Sequence, residues 1–84
     1  MKTKRRLTLI NLRNKKGWLQ RDVVSELKNR YGIEITESYY GMIEQGVRTP
    51  KLNIAVAISK LFESEIDVIF FNNLPNETLG KEAI

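Results

Sequence analysis

Residues 36–50 read TESYYGMIEQGVRTP, a capped helix followed by a proline-containing turn. Thr36 suits a helix N-cap, and Glu37 suits the positive end of the helix that follows. Gly46 marks its stop. Between these limits Tyr40 and Ile43 share one face, which the periodicity predicts to be buried. Ser38, Gly41, Met42 and Gln45 fall on the opposite side and stay free. Gly41 costs a helix about 0.5–1 kcal/mol against Ala, and it reads as leaving the outward face open for close backbone approach. The spacing therefore predicts a two-sided helix over 37–45.

Working outward, Thr49-Pro50-Lys51 is expected to open a fourth helix, with the proline in its first turn. Leu52, Ile54, Ala55, Val56, Ala57 and Ile58 are apolar nearly all round, as for a helix at the centre of a bundle. A buried strand competes there, but the length to Phe62, the alanines and the proline favour helix. Ser64 with Asp67 resembles a capping box ahead of a short fifth helix through Ile66, Ile69 and Phe70. Upstream, Leu19, Val23, Val24, Leu27 and Tyr31 form one helical face that Gly32 ends. Ile33-Glu34-Ile35 reads as an extended connection. Residues 6–16, carrying Leu7, Ile10 and Leu12, form a first helix closed by Gly17. The expectation is an all-α bundle of five short helices over residues 1–71, with a basic N-terminal arm (Lys2, Lys4, Arg5, Arg6). A polar, flexible tail is expected at 72–84.

Composition narrows the function. The 84 residues contain no Cys and no His, which removes thiolate nucleophiles, imidazole acid–base chemistry and the usual zinc ligands. No catalytic residue, metal site or cofactor is expected, and no enzyme. Net charge is +4, but its distribution says more. Residues 1–51 carry 12 basic and 5 acidic side chains, whereas residues 52–84 carry 2 and 5. A basic front half suggests a face turned toward a polyanion. No apolar run is long enough to span a membrane, and Arg13, Lys15 and Lys16 interrupt any signal-peptide core. A cytoplasmic location is expected.

LRNKKGWLQ at 12–20, SYYGMIEQGVRTP at 38–50 and LNIAVAISKLFESEIDVIF at 52–70 together resemble the Cro/C1-type (XRE-like) family of helix-turn-helix DNA-binding proteins, including compact phage and mobile-element regulators. The resemblance covers roughly residues 5–71. It implies that Gln20 binds a DNA phosphate and buttresses the reading helix. It implies that Thr36, Glu37, Ser38 and Met42 face base edges, and that Arg13 and Glu44 form an ion pair joining the first helix to the third. Lys51 falls near a position that approaches phosphates or the minor groove in relatives. Three departures stand out. Val24 occupies a position where the family favours a small residue. Leu19 replaces a polar N-cap. The turn between Leu27 and Thr36 is about six residues longer than usual, and Lys28 or Arg30 on it could reach the DNA backbone.

Residue chemistry gives the same picture. Glu37 can accept from cytosine N4, Ser38 can bond several base edges, and Met42 or Tyr39 can meet a thymine methyl. Arg48 and Lys51 are phosphate candidates, and Tyr39 divides between core edge and phosphate contact. Tyr40, Ile43 and Trp18 read as core. Of the apolar cluster Ile69, Phe70, Phe71 and Leu74, part must close the core and part is available to a homodimer. The expected function is a sequence-specific double-stranded DNA-binding transcriptional regulator, a repressor acting as a homodimer, with helix 37–45 in the major groove. The alternative is a protein-interaction module, antitoxin-like or anti-repressor, kept open by Glu34, Glu37 and Glu44 around the reading helix. A structural nucleoid protein ranks third.

Overall fold

The computed structural model describes residues 5–71, and the expected 72–84 tail, Leu74, Lys2 and Lys4 lie outside them. Five helices follow in order: α1 (Leu7–Lys15), α2 (Gln20–Tyr31), α3 (Glu37–Gln45), α4 (Leu52–Leu61) and α5 (Ile66–Phe70). No strand occurs among the described residues. The core takes Leu9 from α1, Val23 and Leu27 from α2, Tyr40 and Ile43 from α3, and Ile58 from α4, all fully buried. Ile69 and Phe70 of α5 close it from one side. Each helix is too short to be stable alone, so burial of these faces supplies most of its stability.

The ends of the helices follow local chemistry. Thr36 Oγ1 accepts the Tyr39 backbone N–H at 3.0 Å, capping α3 as its sequence implied. Leu19 cannot cap α2 with its side chain, and Asp22 takes over half of the task. The Asp22 carboxylate accepts the Leu19 N–H at 2.8 Å, while the Asp22 N–H donates to the Leu19 carbonyl at 3.0 Å. At the other end of α2, Gly32 turns left-handed at φ 68°, a conformation that costs an L side chain about 1–2 kcal/mol. The chain then runs extended, with Ile33 and Ile35 packed on the core. The long turn is thus an extended α2 plus an apolar-anchored connection.

Three local expectations are corrected. In α1 the buried residue is Leu9, while Leu7 is 61% exposed; the neighbouring polar residues obscured which apolar side chain faces inward. Pro50 does not open α4. It is buried ahead of an extended Lys51 (ψ 159°), and the helix begins at Leu52, so the proline closes the loop. Ser64 does not cap α5. Its N–H donates to the Ser59 carbonyl at 3.0 Å to terminate α4, and the uncapped N-terminal position falls to Glu65. The helical reading of 52–61 stands, and its buried Ser59 hydroxyl is satisfied by the Ala55 carbonyl at 2.9 Å.

That same α4 terminus holds Glu63 at φ 53°, the one non-glycine with positive φ among the described residues. Glu63→Gly removes the clash of Cβ with the following carbonyl and is expected to raise unfolding free energy by about 1 kcal/mol, read from urea denaturation. A decrease would show that the Glu63 side chain makes a compensating contact.

Candidate nucleic-acid interface

The site is built around a buried carboxylate. Glu44, on the inner side of α3, is 2% exposed. Arg13 of α1 meets it with a fork: Nε to Oε2 at 2.6 Å and Nη2 to Oε1 at 3.1 Å. Arg13 Nη1 also donates to the Trp18 carbonyl at 2.9 Å, tying down the link into α2. Gln20, the first residue of α2, donates Nε2 to Glu44 Oε1 at 3.0 Å. Such two-point charge-assisted pairing is directional as well as strong. The hydrogen bond to Glu44 holds the Arg13 pKa above its ordinary value, against the lowering effect of burial. The Tyr40 hydroxyl, one turn before Glu44, is buried with no hydrogen bond of good geometry. Burial first, and the Glu44 charge second, push its pKa far up.

The network corrects the reading of Gly41. A Cβ there would lie 3.2 Å from Gln20 Oε1, and Gly41 is buried. Its lack of a side chain admits the Gln20 side chain of α2 close against α3. Beyond this contact opens a shallow groove lined by Gln20, Glu37, Ser38, Gly41, Met42 and Gln45. Glu37, Ser38 and Gln45 are exposed, Met42 is half-buried, and Tyr40, Ile43 and Glu44 are buried behind them.

Most of the residues singled out from the sequence come together here. Gln20, Glu37, Ser38 and Met42 line the groove. Thr36 is exposed at the N-terminus of α3; its oxygen caps the helix, and its hydroxyl hydrogen remains available to donate. Tyr39 packs against the core and keeps only part of its ring outside. Arg48 and Lys51 are exposed on the segment between α3 and α4. Lys28 and Arg30, near the C-terminal end of α2, lie close to acids, Glu34 at 3.9 Å and Glu26 at 2.7 Å, and both side chains stay more than half exposed.

Arg6 belongs elsewhere than in a free basic arm. Its backbone N–H donates to the Glu44 carbonyl at 2.8 Å. Its Nη1 donates to the Ile43 carbonyl at 2.6 Å and the Arg48 carbonyl at 3.0 Å. The guanidinium carbon lies 5.2 Å from the centroid of the Phe70 ring, and burial lowers the Arg6 pKa. A cation at the negative C-terminal end of α3 is favourable. Within the run of bases at 4–6 nothing in the sequence distinguishes Arg6, because its partners lie 37 and 42 residues away.

Compared with known proteins, the chain matches the family model described as helix-turn-helix over residues 9–69, well over half its length. No curated protein and no solved structure gives a significant match.

Because the Arg13 side chain is only 14% exposed, removing its partner leaves a poorly hydrated cation. Glu44→Ala is expected to lower stability by about 3 kcal/mol, seen as a shifted urea midpoint. A change below about 1 kcal/mol would show that the pair does not hold the helices together.

Proposed function

The chain belongs to the Cro/C1-type helix-turn-helix family of DNA-binding regulatory domains, and on that premise we propose that it is a sequence-specific reader of double-stranded DNA. In this reading it represses transcription in the cytoplasm as a homodimer on a two-fold-related operator. No helix among the described residues is long and apolar enough to cross a membrane.

One observation carries the proposal: α3 is locked from behind and open in front. Tyr40, Ile43 and Glu44 are buried, while Glu37, Ser38, Met42 and Gln45 line the outward groove. An α-helix with its side chains is about 10–12 Å across, and the major groove of B-DNA, roughly 12 Å wide, admits one such element. In that pose the N-terminal turn meets base edges. Thr36 and Ser38 offer hydroxyls, Glu37 accepts from a cytosine amino group, and Met42 meets a thymine methyl. Gln20 supports α3 and turns its remaining polar capacity to a phosphate. Tyr39, Arg48 and Lys51 approach the backbone, which fixes register and carries no sequence information itself.

The placement of the acids favours the DNA reading over the protein-module alternative. Of the three acids that kept it open, Glu44 is consumed by Arg13 and Gln20 and Glu34 stands near Lys28. Only Glu37 remains in the groove, where a single acid suits base discrimination.

Fluorescence anisotropy against the chain's own upstream region and a scrambled duplex, across a salt series, tests the proposal. Ser38→Ala and Met42→Ala are expected to cost about 1–3 kcal/mol on the preferred site and to relax preference there. Arg48→Ala and Lys51→Ala are expected to weaken binding to all sequences and to flatten the salt slope by about one unit each. If all four variants bind DNA as the parent does, the reading fails at its centre.

A further inference from the structure

Helix α2 sorts its charges by flank. Val23 and Leu27, both fully buried, fix its inward direction. With about 100° between successive residues, Gln20, Arg21, Val24, Lys28 and Tyr31 fall to one side of that direction, and Asp22, Glu26 and Arg30 fall to the other. Gln20 identifies the first flank as the one beside α3, because it bonds to Glu44, lies against Gly41 and lines the groove. The charged side chains of that flank are Arg21 and Lys28, both exposed. Both acids of α2 stand on the opposite flank. Asp22 there accepts the Leu19 N–H at 2.8 Å, and Glu26 pairs with Arg30 at 2.7 Å.

The fold makes little use of the two cations beside α3. Arg21 forms no ion pair among the described residues. It stands in the first turn of α2, where the helix dipole disfavours positive charge. Lys28 lies 3.9 Å from Glu34, and the two side chains are 64% and 75% exposed. So open a pair adds little stability, and its cation is readily exchanged to another anion. Seven residues set Arg21 and Lys28 within about 20° of each other and about 10 Å apart along the axis, too far apart to share one phosphate. In helix-turn-helix complexes the helix ahead of the reading helix crosses the DNA backbone, so the flank adjoining the groove is the one turned to phosphates. The lengthening of α2 past Leu27 is what supplies Lys28.

We propose that Arg21 and Lys28 form a phosphate-binding track on α2, additional to Arg48 and Lys51, so that the lengthened helix widens the DNA footprint. On binding, Lys28 leaves Glu34 for a phosphate, while Arg30 stays with Glu26 on the flank turned away. The track rests on the DNA-reading proposal above and assigns part of the long α2–α3 segment a role in it. Phosphate contacts position the protein and carry no sequence information, so the track contributes affinity and leaves base preference alone.

Fluorescence anisotropy of the full chain against its own upstream region and a scrambled duplex, across a salt series, provides the test. Arg21→Gln and Lys28→Gln are each expected to reduce the slope of log affinity against log salt by about 0.9 on both duplexes, with the ratio of the two affinities unchanged. Lys28→Arg is expected to keep the parent slope. Arg30→Gln removes the same charge from the other flank and is expected to leave the slope as it was. Circular dichroism melting checks that each variant folds. If either Arg21→Gln or Lys28→Gln keeps the parent slope, or if Arg30→Gln flattens it as much as they do, the track is overturned. The DNA reading then still stands on the Ser38 and Met42 variants. A parent chain that binds neither duplex overturns both.

Discussion

A carboxylate that is 2% exposed can remain charged in a small domain only if its oxygens are occupied, and the remainder of this structure is arranged to occupy those of Glu44. Arg13 supplies two donors and Gln20 a third. The three residues come from three different helices, so satisfying one charge fixes α1, α2 and α3 with respect to each other. Hydrophobic burial drives the collapse but is non-directional. The fork of Arg13 contributes direction, because only one placement of α3 meets Nε and Nη2 together. Removing either partner leaves the other charge poorly hydrated, and the cost then exceeds the net worth of the pair.

Arg6 secures the same helix at its far end. Its guanidinium reaches the Ile43 and Arg48 carbonyls while lying near the ring of Phe70, so α5 holds the cation that holds the end of α3. Both arginines approach α3 away from the groove lined by Ser38 and Met42. The side chains of Ser38 and Met42 are therefore not needed to hold their own helix in place. A surface placed in advance in this way loses less entropy on binding than one that must be ordered by its ligand.

The long connection between α2 and α3 leaves this arrangement undisturbed for a physical reason. The tie between α2 and α3 is made at the first turn of α2, through Gln20, at the opposite end of that helix from the connection. The added residues lengthen α2 to Tyr31, turn at Gly32 and return along the core through Ile33 and Ile35. Thr36 then restarts the chain as a cap. Val24, larger than the residue expected at its position, is accommodated while only partly buried.

The five helices and the two-sidedness of residues 37–45 are legible in the sequence, because these follow from period, caps and stops over short stretches of chain. Family resemblance also placed Arg13 beside Glu44 and Gln20 beside α3. Sequence reading fails where a residue's role depends on a distant partner or on competition between neighbours. Arg6 looks like one more surface base until the ends of α3 and α5 come to it. Gly41 gives no sign of the Gln20 side chain that packs beside it. Leu9 cannot be preferred over Leu7 in a helix whose apolar residues mark no clear face, and Ser64 reads as a cap until Ser59 claims its N–H. Periodicity encodes what a segment does along its own axis. Which groups meet across the bundle is set by how the helices pack, and no local pattern encodes that.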